Sequence, residues 1–269
     1  MTLTLDSIRD IRLYQRRRGY RFSLDALLLF DFARLQKAGN IADLGAGSGV
    51  VGLLLAKKYP AAKVTLVELQ EGLYGLALKN IALNGLADRV RAVKADLRAI
   101  GGHLTDWQSG GHEGPSPDFG QLGRGSLDMI VSNPPFRKVM AGRISLDEER
   151  AAARHELTLP LAALVKAAAY LVKNRGRFFM IYHPERLPEM FGALADGGFE
   201  PKRLRFVHGR PGPPAGGLAG GPTGGPAGAK IVLVESVKGG SPGLSVERPL
   251  FVYAPDGSYS PEVRGIYGL

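Results

Sequence analysis

Short apolar runs alternate with longer amphipathic segments along most of the chain. The short runs predict strands near residues 40–44, 63–68, 90–95, 127–132, 176–182, 202–208 and 230–237. Helical patterns lie between them at 24–37, 50–58, 71–84, 158–173 and 185–197. This alternation predicts an α/β fold with a mostly parallel sheet and helices on both faces. Since no helical pattern separates the last two strands, we expect them to form an antiparallel hairpin that completes a seven-stranded sheet.

Two glycine-rich stretches interrupt this pattern, and we expect both to be flexible insertions. The stretch 209–228 contains Gly-Gly and Pro-Pro repeats that cannot bury apolar surface, so we expect it to be disordered. The stretch 101–125 is interpreted as a passive insertion before the fourth strand. The organisation we expect is a basic N-terminal arm over residues 1–23 and a single domain over residues 24–269.

The first predicted strand runs into a glycine-rich turn of a kind that approaches ligands closely. Asp43 and Leu44 are followed by Gly-Ala-Gly-Ser-Gly at residues 45–49, which we call the glycine turn. Glycines let the chain turn tightly and let backbone N–H groups face a ligand. Glu68 ends the next strand 25 positions after Asp43, near the roughly 20-residue offset at which a carboxylate meets a ribose hydroxyl in dinucleotide folds. Asp96 follows the third strand, where a carboxylate can accept a hydrogen bond from an adenine amino group.

The fourth strand ends in Ser-Asn-Pro-Pro-Phe at residues 132–136, a run suited to methylating an sp2 amino nitrogen. Such a nitrogen is a poor nucleophile because its lone pair is delocalised. The Asn133 side-chain oxygen and the Pro134 carbonyl can accept hydrogen bonds from both of its hydrogens. Pro135 stiffens the turn further, and Phe136 offers a ring on which a flat base can stack. Because each candidate group follows a successive strand, we expect all of them at the C-terminal edge of the sheet.

These motifs and the runs around them make the chain similar to a known family. The flanking runs lie at residues 20–29, 153–156, 205–208 and 249–261. The sequence resembles the Rossmann-like class I methyltransferases with an Asn-Pro-Pro-aromatic motif, and within them the bacterial adenine-N6 methyltransferases of valine tRNA. The resemblance implies S-adenosyl-L-methionine as the cofactor and the N6 amine of an anticodon-loop adenine in tRNA as the target. No proton shuttle is required, because the amine can lose its proton after attacking the sulfonium methyl group.

The residue chemistry and the resemblance together give three groups of candidate site residues. The catalytic candidates are Asn133, Pro134, Pro135 and Phe136. The cofactor-binding candidates are Phe22, Ser23, Asp25, Asp43, Gly45, Gly47, Gly49, Glu68, Leu69, Asp96 and Leu97. The RNA-binding candidates are Arg16, Arg17, Arg18, Arg137, Lys138, Arg154 and His155. Ser23 also fits the N-cap of a helix beginning at Leu24, and His155 also fits an ordinary surface position.

The charge distribution favours a polyanionic partner. The formal net charge is +10 and the sequence pI is about 9.9, which is typical of proteins that bind nucleic acid. Six arginines crowd the first 21 residues, with Tyr14 and Tyr20 between them. Arginines beside aromatic rings can bind phosphates and stack on unpaired bases, so we expect RNA as the partner.

Several classes of protein are not favoured by the composition. Zero cysteines exclude disulfides and thiolate sites, and five scattered histidines do not favour a zinc site. No run of about 18 apolar residues occurs, so we expect a cytoplasmic protein without membrane contact. The sequence leaves the oligomeric state open, with a monomer favoured.

Other substrates remain compatible with the same chemistry. Guanine-N2 methylation of ribosomal RNA uses the same four-residue motif, and only the flanking runs argue against it. Methylation of adenine in DNA normally needs a target-recognition domain, and relatives that methylate protein glutamine carry a helical N-terminal domain. An RNA-binding protein that has lost activity is the alternative outside the enzymes, and the intact Asn133 motif argues against it.

Overall fold

The computed structural model describes residues 3–17, 23–100, 122–134, 159–210 and 228–269. Its strands are β1 (Leu3–Ile8), β2 (Ile11–Arg16), β3 (Asn40–Leu44), β4 (Lys63–Glu68), β5 (Val90–Lys94), β6 (Leu127–Ser132), β7 (Val172–Tyr182), β8 (Phe199–His208), β9 (Ile231–Lys238), β10 (Ser245–Val246) and β11 (Leu250–Phe251). Its helices are α1 (Leu24–Phe32), α2 (Val50–Lys58), α3 (Glu71–Leu83), α4 (Leu161–Leu171), α5 (Leu187–Asp196) and α6 (Pro261–Tyr267). Short 3-10 turns follow β5 and β7 at Leu97–Ala99 and Pro184–Arg186.

The main sheet has the strand order β10-β8-β9-β7-β6-β3-β4-β5, with β11 also paired to β8. The five strands from β7 to β5 run parallel, while β9 is antiparallel to both of its neighbours. The predicted α/β class and the antiparallel β8–β9 pair are therefore confirmed. The sheet has nine strands in the described residues where the sequence predicted seven. The two additional strands, β10 and β11, are two residues long and too short to show a periodic pattern.

Two hydrophobic clusters cover the two faces of this sheet. Phe178 and Phe179 are neighbours on β7, so their side chains point to opposite faces, and both are fully buried. Phe179 packs in the cluster that contains α1, α2 and α3, whereas Phe178 packs with α4 and α5. Burial on both faces explains why the central strands are continuously apolar in the sequence.

Two element boundaries differ from the sequence prediction by four or five residues. Helix α1 ends at Phe32 instead of residue 37, because Ala33 is extended and the Lys58 ammonium donates a hydrogen bond of 2.9 Å to the Ala33 carbonyl. Burial lowers the pKa of Lys58 to about 8. Strand β7 begins at Val172, which is also the C-cap of α4, so the chain passes from helix to strand without a loop.

The described part of the basic N-terminal segment is a folded hairpin. Strands β1 and β2 pair in antiparallel register, where the sequence analysis predicted no strand. Ile8, Ile11 and Leu13 are buried in the same cluster as α1 and α2. Arginines and a tyrosine alternate with these apolar residues along β2, which is the period expected of a half-buried strand. The basic tract therefore starts from a strand fixed to the body of the protein.

Two other features are absent from the described ranges. No helix there is long and apolar enough to cross a membrane. Those ranges also hold no group of three or more His, Asp or Glu side chains suited to a metal ion. Most of both predicted insertions lies outside the described residues.

Candidate active site

The candidate groups lie along one edge of the sheet. Strands β5, β4, β3 and β6 are parallel neighbours, so their carboxyl ends meet at the same edge. Asp96 follows β5, Glu68 ends β4, the glycine turn follows β3, and Asn133 follows β6. The row has the layout expected where open α/β folds bind their ligands.

The glycine turn is held against β4 by its own backbone. Gly45, Gly47 and Gly49 have φ values of 74°, 58° and 91°, a region that residues with a Cβ rarely adopt. The amides of Gly45 and Ala46 donate to the Val67 carbonyl at 2.9 and 3.0 Å. This conformation needs glycine at three alternate positions, which is the spacing that identified the turn in the sequence.

Glu68 is a buried carboxylate fixed by two backbone amides. Its side chain accepts hydrogen bonds from Gly47 N at 2.9 Å and from Gln70 N at 2.8 Å, one on each oxygen. The residue is only 6% exposed. Since each carboxylate oxygen has two acceptor positions, both oxygens can accept a further hydrogen bond from a ligand hydroxyl. The sequence predicted the position of Glu68 but not its bond to the glycine turn.

Asp43 is almost completely buried beneath the glycine turn. Its Oδ2 atom accepts a hydrogen bond of 2.9 Å from Gly52 N on α2. Burial raises the pKa of Asp43 to about 7, and the nearby Glu68 charge adds to this, although the Gly52 hydrogen bond works against it. A carboxyl group with such a pKa gains its charge readily when a cationic group arrives beside it.

Gly52 is a site residue that the sequence analysis missed. A Cβ atom at this position would stand 2.1 Å from Cδ2 of the buried Leu66 and 3.3 Å from Cβ of Asp43. Helix α2 can approach β3 and β4 only because this side chain is absent. The signal in the sequence was a fourth glycine three residues after the glycine turn.

Asp96 is buried and already paired with a cation. Arg98 Nε lies 3.0 and 2.9 Å from the two carboxylate oxygens, and Arg98 N donates to Oδ1 at 2.9 Å. The sequence analysis assigned Asp96 to an adenine amino group and did not predict this arginine. A ligand amino group at this carboxylate would have to share it with Arg98 or displace it. Of the two leucines predicted beside these acids, Leu97 is buried and Leu69 is 40% exposed.

Asn133 is positioned by the residue before it. Ser132 is fully buried, and its Oγ donates a hydrogen bond of 2.7 Å to the Leu44 carbonyl at the end of β3. This bond ties the end of β6 to the residue that precedes the glycine turn. Asn133 is half-buried and Pro134 is buried. The motif analysis identified Asn133 but gave Ser132 no role.

Ser23 and Asp25 lie at the start of α1. Ser23 occupies the N-cap position as expected, but its side chain makes no capping hydrogen bond to the helix. Asp25 is half-buried in the first turn. Burial and a hydrogen bond with Tyr259 raise the pKa of Tyr267 to about 12, and the negative charge of Asp25 also acts to raise this pKa. The C-terminal helix α6 therefore lies near the start of α1.

The structure describes two of the seven RNA-binding candidates. Arg17 is exposed, whereas Arg16 is half-buried with its guanidinium against Gly72, where a Cβ atom would be 1.9 Å from Nη2. Eight candidate residues lie outside the described ranges, namely Arg18, Phe22, Pro135, Phe136, Arg137, Lys138, Arg154 and His155.

The chain is similar to known methyltransferases in part of its sequence and in its fold. Residues 24–103 match the model of the family described as the methyltransferase small domain. Among solved structures, the chain is similar to a predicted O-methyltransferase from Agrobacterium tumefaciens, with a TM-score of 0.61 and 21% identity over 91% of this chain and 95% of that one. It is also similar to M. jannaschii TYW2 in complex with AdoMet, with a TM-score of 0.54 and 14% identity over 88% and 86% of the two chains.

The chain is also similar to proteins whose names state a specific activity. The chain is 31% identical to a tRNA1(Val) (adenine(37)-N6)-methyltransferase of Porphyromonas gingivalis, over 63% of this chain and 61% of the relative. It is 33% identical to a protein of the same name from Bacteroides thetaiotaomicron, over 58% of this chain and 57% of the relative. The chain thus spans about three fifths of the length of these relatives. The predicted resemblance to methyltransferases is confirmed.

Proposed function

We propose that this protein transfers a methyl group from S-adenosyl-L-methionine to the exocyclic N6 amine of an adenine in tRNA. The observation that carries the proposal is the position of Asn133, which follows β6 beside the start of the glycine turn and is preceded by the buried Ser132–Leu44 bond. The named relatives support tRNA as the substrate and, by their names, adenine 37 of tRNA1(Val) as the target.

The cofactor would lie along the sheet edge from the glycine turn to Asp96. The amides of Gly45, Ala46, Gly47 and Gly49 are bonded within the protein. The Ser48 amide and the Asp43 carboxylate therefore suit the methionine part, which carries both a carboxylate and an ammonium group. Glu68 suits the ribose hydroxyls because its oxygens are fixed and buried. The exposed Leu69 offers apolar surface to the adenine ring, and Asp96 offers an acceptor to its amino group.

Asn133 would activate the target amine by holding its two hydrogens. The Asn133 Oδ1 atom and the Pro134 carbonyl accept one hydrogen bond each, which draws the nitrogen lone pair out of conjugation with the ring. When bound, S-adenosyl-L-methionine would supply its methyl group to this nitrogen and would leave as S-adenosylhomocysteine, with the electron pair of the broken carbon–sulfur bond on sulfur. The methylated amine loses one proton afterwards. Catalysis of this kind rests on positioning rather than on an acid or base.

The basic hairpin would bind the RNA. Arg17 is exposed directly after β2, and Arg18 and Arg21 follow it in the chain. Binding through phosphate contacts predicts an affinity that falls steeply as salt is added. We also propose RNA contacts for four candidates outside the described residues, namely Arg137, Lys138, Arg154 and His155.

The test is methyl transfer from radiolabelled S-adenosyl-L-methionine to four substrates in parallel. These are bacterial tRNA, ribosomal RNA, duplex DNA and a release factor, followed by nucleoside mass spectrometry of the labelled pool. N6-methyladenosine in tRNA is the expected product. N2-methylguanosine in ribosomal RNA, or label in DNA or protein, would overturn the substrate while keeping the chemistry of Asn133.

Asn133→Ala tests the catalytic assignment. We expect the variant to lose turnover while its affinity for S-adenosyl-L-methionine stays within a few-fold, because the side chain acts on the target amine and not on the cofactor. Turnover at the wild-type rate in this variant would refute the assignment.

A further inference from the structure

A fully buried asparagine joins the glycine turn to the N-terminal hairpin. Asn80 lies on α3 and is 0% exposed. Its Oδ1 accepts a hydrogen bond of 2.7 Å from Tyr14 N, and its Nδ2 donates to the Tyr14 carbonyl at 3.2 Å and to the Ser48 carbonyl at 2.9 Å. Both donor hydrogens of the amide are therefore used, one on each of two separate elements.

The two elements joined by Asn80 carry different parts of the proposed site. Ser48 lies within the glycine turn between Gly47 and Gly49, and its carbonyl direction is linked to the orientation of the neighbouring amides. Tyr14 lies on β2 between Arg12 and Arg16, within the arginine-rich N-terminal segment. The Asn80 side chain therefore links the glycine turn directly to the hairpin.

Asn84 provides a natural comparison one helical turn later. Its Oδ1 accepts from Arg12 N at 2.9 Å and its Nδ2 donates to the Arg12 carbonyl at 2.7 Å, which repeats the pairing of Asn80 with Tyr14. The further hydrogen bond of Asn84 goes to the Asn80 carbonyl of its own helix, at 2.7 Å. The two asparagines thus hold the hairpin in the same way, while Asn80 has the additional bond to the glycine turn.

We propose that Asn80 is a positioning residue that couples occupancy of the cofactor site to the order of the RNA-binding hairpin. The proposal rests on the function proposed above. When the methionine part of the cofactor binds the Ser48 amide, the carbonyl of the same residue is held in one direction and Asn80 holds Tyr14 in turn. Coupling of this kind is reciprocal, so cofactor and RNA strengthen each other's binding.

The test measures the hairpin directly and needs no RNA. Hydrogen–deuterium exchange of the peptide covering residues 11–17 is followed with and without saturating S-adenosylhomocysteine. We expect the ligand to slow exchange of this peptide by at least about 5-fold in the wild type. We expect Asn84→Ala to show faster exchange throughout but the same ligand effect, whereas in Asn80→Ala the ligand effect is lost.

A second variant separates coupling from folding. Asn80→Asp keeps an acceptor for Tyr14 N and nearly the same shape, but it can donate neither to the Ser48 carbonyl nor to the Tyr14 carbonyl. It should also lose the ligand effect. Equal loss of the effect in Asn84→Ala and in both Asn80 variants would overturn the proposal, and so would a wild-type hairpin whose exchange does not respond to the ligand.

The affinity for tRNA gives a further readout. We expect S-adenosylhomocysteine to tighten tRNA binding by about 5-fold or more in the wild type and in Asn84→Ala, and by less than about 2-fold in Asn80→Ala. The two proposals fail in different ways. If the ligand slows exchange in the hairpin but the protein does not methylate tRNA, only the proposed substrate is wrong. If the protein methylates tRNA but the ligand does not slow exchange in the hairpin, only the proposed coupling is wrong.

Discussion

Asp43→Asn replaces a buried carboxyl group by an amide of nearly the same shape. Asp43 is 1% exposed, and the amide oxygen can keep the hydrogen bond from Gly52 N. In the wild type, burial raises the pKa from 3.8 to about 7, with the Glu68 charge adding to the effect and the Gly52 bond opposing it. The folded protein therefore keeps a proton that the unfolded chain releases above about pH 4.

The sign and size of the effect follow from this difference in proton binding. Between pH 3.8 and about 7 the folded state of Asp43 holds more protons than the unfolded state, so the free energy of unfolding falls as pH rises and levels off above about 7. The whole difference corresponds to about 4 kcal/mol. Of this, about 2 to 3 kcal/mol is lost between about pH 5 and pH 8. The asparagine variant has no group that titrates there.

The assay is urea unfolding of the wild type and Asp43→Asn at several pH values from about 5 to 8. We expect the variant to gain about 2 to 3 kcal/mol relative to the wild type across this range, because only the wild type has to ionise a buried carboxyl group. Parallel pH profiles of the two proteins would refute the reasoning. Under the proposed function, binding of the cofactor ammonium should also release a proton in the wild type and none in the variant, which calorimetry in buffers of different ionisation enthalpy measures.

Three further predictions concern Gly52, Asp128 and Ser132, with Gly75 as a control for the first. Gly52→Ala should lower the free energy of unfolding by about 1 to 2 kcal/mol, because overpacking against Leu66 outweighs the helix propensity of alanine. Gly75→Ala on α3, where no described atom lies within 4 Å, should raise it by up to about 1 kcal/mol, and urea melts that move both variants the same way would contradict the contact. Burial works to raise the pKa of Asp128, but hydrogen bonds from a lysine and two main-chain amides hold that pKa below its usual value. Its stabilising contribution is therefore present above the usual pKa and lost as pH falls, so Asp128→Asn should cost about 1 kcal/mol at pH 7 and less near pH 3, and a cost independent of pH would argue against this. Ser132→Ala should reduce turnover about tenfold or more while leaving cofactor affinity nearly unchanged, and wild-type turnover would count against its positioning role.

The position of the site could be predicted from the sequence because it depends on topology. Strands β3 and β4 are buried on both faces, so they are continuous apolar runs whose ends are marked by Asp43 and Glu68. In a parallel sheet the ends of such strands meet at one edge. The order of the strands along the chain was therefore enough to bring Asn133 and the acids together without knowledge of any side-chain contact.

The contacts that hold the site could not be predicted in the same way. Asn80 bonds to Tyr14 and Ser48, which are 66 and 32 residues away, and an amide-to-backbone bond leaves no periodic pattern in the sequence. The pairing of Asp96 with Arg98 depends on how one arginine folds back over two residues. The hairpin was missed for another reason: the sequence analysis interpreted its arginines as a basic arm, although they alternate with buried apolar residues along β2.

The glycine turn is held from three directions by side chains that bond to the backbone. Glu68 bonds to an amide within it, Asn80 to a carbonyl within it, and Ser132 to the carbonyl immediately before it. Each bond contributes only about 1 kcal/mol to stability, yet a misplacement of about 1 Å can lower the rate of a positioned reaction about 100-fold. Removing any of the three should therefore reduce turnover by a larger factor than its effect on stability accounts for. A loss of turnover larger than the loss of stability would support the proposal that this edge acts by positioning the reactants.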